Sequence, residues 1–136
     1  MTEQSPSQVI NDWVTAAQSN DTPKNKATKI AGLYVPDTAT EKAALCATEG
    51  IIQGQSYISA DYEAQFTAGW VLKGISNQSI NQATASNWAW AYGQWTGTFQ
   101  GTVTGYWSIL LVNQGTSNQP NWLIQQHTIV TSLPAS

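Results

Sequence analysis

Only one side chain in this sequence has an ordinary pKa near neutral, His127, and after Lys73 no Asp, Glu, Lys or Arg follows down to the C-terminus. A general acid or base working at neutral pH would therefore be His127, acting with a tyrosine hydroxyl or a bound water. The hydroxyls on offer are Tyr34, Tyr57, Tyr62, Tyr92 and Tyr106, and His127 and Tyr34 are taken as the candidate catalytic residues. The simpler reading of His127 is structural: a strand histidine bonded to a neighbour or placed in a dimer interface. No metal site is expected, because a metal needs three or four ligands and His127 has no His or carboxylate at ligand spacing. No cofactor is expected either. Cys46 is the single cysteine; as a nucleophile it would need a nearby base, and its simpler reading is a small buried apolar residue.

Charge excludes several partners. The chain has no arginine, a net charge of −3, and one loose group of lysines, Lys24, Lys26 and Lys29, next to Asp21. A nucleic-acid surface needs a broader basic footprint, and a bidentate grip on phosphate or carboxylate needs Arg. No window approaches the ~18 apolar residues of a membrane span. The polar start "MTEQSPSQ" lacks a basic segment followed by an apolar run, so no secretion signal is expected there. With a single cysteine, these features suit a reducing, cytoplasmic setting.

The elements that must position these groups are readable from their punctuation. Ser5-Pro6-Ser7-Gln8 is a helix start, with Ser5 as cap, Pro6 at the first helical position and Gln8 completing a capping box. Val9, Ile10, Trp13, Val14 and Ala17 follow at helical spacing. Thr22-Pro23 opens a second, shorter helix carrying Ala27, Ile30, Ala31 and Leu33-Tyr34, which ends at Val35-Pro36-Asp37. Asp37 reads as a turn or cap residue. "TATEKAALCATEGII" (38–52) alternates weakly and fits one or two short strands, or a strand and a loop. A third helix over "SYISADYEAQFTAG" (56–69) places Tyr57, Ile58, Tyr62 (or Asp61) and Phe66 near helical spacing, with Asp61 and Glu63 solvated and Gly69 as the stop.

Then the period changes. Segments 70–76, 79–85, 87–97, 102–113 and 121–132 are rich in β-branched and aromatic residues and are separated by Gly, Asn, Gln and Ser turns. Helices followed by antiparallel strands predict one α+β domain over residues 1–136, with the helices on one face of a curved sheet. In "NWAWAYGQW" (87–95), Trp88, Trp90 and Tyr92 point one way and Ala89, Ala91, Gly93 and Trp95 the other. Both faces carry apolar bulk, and only one can lie under the helices. A homodimer through the sheet face is the simplest cover for the other. By strict alternation His127 shares a face with Leu123, Gln125 and Ile129, and Trp122, Ile124 and Gln126 face oppositely; which set points inward is open.

An amphipathic first helix leading to "LYVPDTA" (33–39), the "QG" at 53–54 before the third helix, "WAWAYGQWTG", "GYWSILLVNQG" and "NWLIQQHTIV" ending near Pro134 together resemble the nuclear-transport-factor-2-like superfamily, close to its SnoaL-like branches. The resemblance covers nearly the whole chain. It implies a cone, in which a bent antiparallel sheet wraps three helices around a pocket (the cystatin-like fold). Trp13, Tyr34, Tyr57, Phe66, Trp88 or Trp90, and Trp107 read first as core, and the cavity that the resemblance implies would make several of them, with His127, ligand contacts. A ketosteroid-isomerase-like site would put its base near Glu41 or Lys42 and an acid on a late strand. No carboxylate follows Glu63, and Trp13 stands where that family's first-helix tyrosine belongs. An epoxide-hydrolase-like Asp–Arg–Asp set is impossible without arginine. The expected function is a dimeric domain that binds a small, mostly apolar molecule. The alternatives are an isomerase, cyclase or dehydratase using His127 with a tyrosine or water, and an oligomerisation module with a closed pocket.

Overall fold

Both N-terminal helices start where their capping residues dictate. In the computed structural model, which describes residues 5–48, 50–82, 87–116 and 118–132 (at 77, 78 and 82 the backbone only), α1 spans Pro6–Gln18 and α2 Pro23–Ala31. Ser5 Oγ accepts from Gln8 N at 3.2 Å, and Thr22 Oγ1 from Asn25 N at 3.2 Å. The expected capping box is only half made, because the Gln8 side chain turns forward to Asp12 (2.8 Å) rather than back to the cap. α3 (Gln55–Thr67) starts at Gly54, which has φ 97 and no side chain to cap with. Asp37, 18 residues before Gln55, caps it instead: its carboxylate accepts from Gln55 N at 2.6 Å, Ser56 N at 3.2 Å and Ser56 Oγ at 2.6 Å. The Ser56 hydroxyl and these amides hold the Asp37 carboxyl below its ordinary range.

The described residues form six strands: β1 (Ala44–Ala47) and β2 (Gly50–Gln53) between α2 and α3, then β3 (Val71–Gln82), β4 (Trp88–Thr98), β5 (Thr102–Asn113) and β6 (Trp122–Thr131). The ambiguous segment is a β1–β2 hairpin. The sheet order is β2-β1-β6-β5-β4-β3, antiparallel apart from the parallel β1–β6 pair. Segments 70–76 and 79–85, expected as two strands, form one strand as far as Gln82; residues 83–85 lie outside the described part. The polar residues between them are absorbed as a register shift between Ser76 and Ser79 rather than a turn. Such irregularities bend a strand, as a sheet wrapping helices requires. Beyond α2 the chain runs beside β6, with Val35 N donating to Ile124 O (2.9 Å) and Ile124 N to Leu33 O (2.8 Å), which fixes Tyr34 against the sheet. The result is an α+β cone with α1–α3 packed against the inner sheet face.

β4 divides as its alternation predicts. Ala89, Ala91, Gly93 and Trp95 are buried, while Trp88, Trp90 and Tyr92 are exposed on the outer face together with Tyr106 of β5. Inside, bulk is matched across strands. Gly93 is paired with Trp107 and Gly105 with Trp95, so each indole lies over a glycine. Both indoles also reach backbone oxygens, Trp95 Nε1 to Val130 O at 3.1 Å and Trp107 Nε1 to Gln94 O at 3.2 Å. A methyl group at Gly105 would collide with Val130 O and fall 2.5 Å from Trp95 Nε1. Gly105→Ala is expected to lower stability by about 2–3 kcal/mol through overpacking. Gly74→Ala, where an added Cβ meets nothing within 4 Å, should stay near wild type. Urea unfolding midpoints of the two variants check this contrast.

Candidate functional site

The position of His127 is decided by one extra residue. Across β5 and β6, Leu110 pairs with Gln126 but Leu111 pairs with Ile124, so Gln125 is a bulge with no partner in the ladder. Its side chain is tied elsewhere: Nε2 donates to Glu41 O (3.2 Å) and Lys42 O (3.1 Å). The bulge resets the alternation. Trp122 and Ile124 before it, and His127 after it, all face the interior, which corrects the strict alternation that put them on opposite faces. His127 is 0% exposed, in a row with Ile109 on β5 and Leu45 on β1.

Four side chains close a polar chain in this core. Trp13 Nε1 donates to Tyr62 OH at 3.2 Å, Tyr62 OH meets Tyr34 OH at 2.9 Å, and Tyr34 OH meets His127 Nδ1 at 2.5 Å. An indole N–H only donates, and each hydroxyl carries one proton. The direction in which every hydroxyl both accepts and donates runs Trp13 to Tyr62 to Tyr34 to His127. His127 Nδ1 is then the acceptor and Nε2 carries the proton. Nε2 is buried without a hydrogen-bond partner, and the Trp13 ring stands edge-on to the imidazole at 5.2 Å between centroids. Burial in this apolar shell lowers the His127 pKa to about 3 and raises that of Tyr62 to about 12. Desolvation also pushes Tyr34 well above the usual phenol range.

The sequence therefore brings Trp13, Tyr34 and His127 together, but as a closed core cluster. Phe66 is buried behind Tyr62, with ring centroids 6.0 Å apart, and Trp107 covers Gly93. Tyr57 is 72% exposed on α3, away from the core, and Trp88 and Trp90 lie on the outer sheet face. None of these eight residues lines the ring-walled concavity at the mouth of the cone.

That concavity is a half-open cavity of about 180 Å³ at the mouth of the cone. Its walls are Tyr62, Trp70, Trp95, Phe99, Leu45 and Ile129, with Asp61, Gln65, Thr48 and Thr131 among the polar contributors. Trp70 and Trp95 meet at 76°, centroids 5.9 Å apart. Asp61 was expected to be solvated; it is half-buried in this wall because it sits one residue before Tyr62 on the inward side of α3. Tyr62 and Phe66 are detectable in sequence by helical spacing. Trp70, Trp95 and Phe99 converge only through the sheet register, and local sequence carries no signal for that. Tyr62 alone belongs to both the polar chain and the cavity wall. Among the described residues no group of three potential metal ligands occurs, and no helix is long and apolar enough to cross a membrane.

No family model matches the chain, and no curated protein does. Solved structures do. A nuclear-transport-factor-2-like protein of unknown function from Pseudomonas putida is 14% identical with a TM-score of 0.72, covering 94% of this chain and 84% of its own. A protein of unknown function with a cystatin-like fold from Nostoc punctiforme is 12% identical with a TM-score of 0.69, covering 96% of both chains. Nuclear transport factor 2 from Cryptosporidium parvum is 13% identical with a TM-score of 0.69, covering 93% of this chain and 90% of its own.

The buried neutral imidazole has a thermodynamic signature. The unfolded chain takes up a proton at His127 below about pH 6.5, whereas the folded chain resists until about pH 3. The unfolded state thus binds more protons in that window, and stability falls as pH drops through it. The His127 contribution approaches a slope of about 1.4 kcal/mol per pH unit. Urea unfolding of wild type and His127→Gln at pH 7, 6 and 5 should show the wild type losing stability more steeply, with the difference vanishing above pH 7.

Proposed function

We propose that this chain, which has the nuclear-transport-factor-2-like fold, is a SnoaL-like binding domain for a small, mostly apolar molecule held at the mouth of its cone. The observation that carries this reading is the ring-walled cavity formed by Tyr62, Trp70, Trp95 and Phe99. Dispersion and the removal of apolar surface from water, at roughly 25 cal/mol per Å², supply the affinity. The volume lies below the ~300 Å³ of a drug-sized site, so the guest is small or only partly enclosed.

Burial weighs against catalysis by His127. With a pKa of about 3 it has little affinity for a proton at neutral pH, and it does not line the cavity. Of the four members of the polar chain, only Tyr62 lines the mouth. Held at about 12, its hydroxyl serves as a hydrogen-bonding group at neutral pH and not as a base. A ligand fixed in place but not turned over fits this arrangement better than an isomerase, cyclase or dehydratase does.

The outer sheet face supports a second copy as partner. Trp88, Trp90, Tyr92 and Tyr106 each stand 45–54% exposed there, on a stretch of chain without charge. Covering such rings favours association, and an isologous pairing of two identical faces needs no complementary charge. The free thiol of Cys46 suits a cytoplasmic setting.

Two outcomes test the reading. Ala47→Trp, which fills the cavity from β1, is expected to abolish the line broadening that monocyclic and bicyclic fragments show with wild type in ligand-observed NMR, at unchanged melting temperature. Retention of binding would place the guest elsewhere. Trp90→Glu is expected to raise the dimer dissociation constant by at least about tenfold in sedimentation velocity, from burial of an unpaired charge. A wild type that sediments as a monomer at all concentrations would remove the dimer.

A further inference from the structure

We propose that the mouth cavity selects a small organic monocation, an alkylated ammonium, over a neutral guest of the same shape. The proposal rests on the binding-domain reading above and names the chemical class of its ligand.

The argument begins with the walls. Trp70 and Trp95 meet nearly at right angles, and Phe99 and Tyr62 close the remaining sides. The face of an aromatic ring carries negative charge, and a cation within about 6 Å of its centroid is attracted to it, most strongly by Trp. Rings set nearly at right angles wall the cavity from different directions, an enclosure that suits a tetrahedral alkylammonium better than a flat neutral ring. Among the described lining residues Asp61 is the only charged side chain, and it is a carboxylate. It opposes an anion, and it leaves a neutral apolar guest lying against a charge. An alkylammonium gains from both the rings and the carboxylate. An inorganic cation would need several oxygen ligands, which ring carbons do not provide.

The same row of rings already holds an ammonium group at its far end. Lys26 Nζ lies 4.3 Å from the Phe66 centroid, and Phe66 is 5.5 Å from Trp70, which continues to Trp95. Asp61 and Gln65 also border an adjoining groove of about 240 Å³ beside Gly50–Ile52, so a substituent on the nitrogen has room to run outward.

The test compares two isosteres, benzyltrimethylammonium and neopentylbenzene, which differ only in N⁺ for C, by ligand-observed NMR titration. The cation is expected to bind at least about tenfold tighter. Asp61→Asn should lose most of that preference, and Gln65→Glu, which adds a second carboxylate to the same wall, should increase it. The second variant keeps the test valid if the first fails to fold. Equal affinity for the two probes, or tighter binding of the neutral one, overturns the cation inference while the binding-domain reading stands. Absence of binding by either probe, together with no response to any fragment, overturns both. A preference that persists in Ala47→Trp shows that the cation sits outside the cavity and overturns the inference.

Discussion

The interior of this protein depends on the bulge at Gln125. One residue without a ladder partner lets Trp122, Ile124 and His127 face the same side of β6, where strict pleating would have sent His127 into solvent. The bulge is itself held. The Gln125 amide is satisfied by the carbonyls of Glu41 and Lys42, in the segment leading into β1, and β1 pairs in parallel with the residues just past the bulge. A single side chain therefore couples the irregularity in β6 to the arrival of the β1–β2 hairpin. In that arrangement Leu45 sits level with His127.

Turning a histidine inward creates a demand that the neighbouring elements meet. An imidazole buried among Ile109, Leu45 and Trp13 must stay neutral, and its nitrogens need partners. Tyr34 comes from the segment after α2 that lies along β6, Tyr62 from α3 and Trp13 from α1, so every helix or its continuation delivers one member of the chain. The cluster acts as a directional pin. Hydrocarbon packing tolerates small slips between helices and sheet, whereas three hydrogen bonds in series fix their relative heights. The one unsatisfied atom, Nε2, is a cost that this geometry carries.

Much of this was legible from local chemistry. Ser5, Thr22 and the prolines after them mark two helix starts, and the tryptophans and tyrosine of β4 fall on the face that alternation assigns. The nuclear-transport-factor-2-like fold followed from the order of its motifs. What was not legible depends on pairing between distant segments. Asp37 as the cap of α3, the parallel β1–β6 pair, the continuity of β3 through its register shift and the bulge at Gln125 are all long-range facts. Period-two reasoning assumes an unbroken pleat, so it misplaced His127 relative to Trp122 and Ile124. Nor does local sequence show that Trp13, Tyr34 and Phe66 fill the interior and leave the concavity at its mouth.

The cavity lies at the mouth for a reason of lengths. α3 has 13 residues, roughly 20 Å of helix, whereas β4 and β5 have 11 and 12 residues, roughly 36–40 Å of strand. The helices therefore cannot cover the full height of the sheet. At Gly69, with φ 107, the chain leaves α3 and sends Trp70 across the uncovered end. Trp95, held down over Gly105, and Phe99 at the β4–β5 turn supply the other walls. Rings that would otherwise stand over bare sheet are thus brought edge to face around a gap. Polar strand tips would have left this end open to water without walls, and longer helices would have filled it. The concavity arises from aromatic side chains completing a core that the helices are too short to finish.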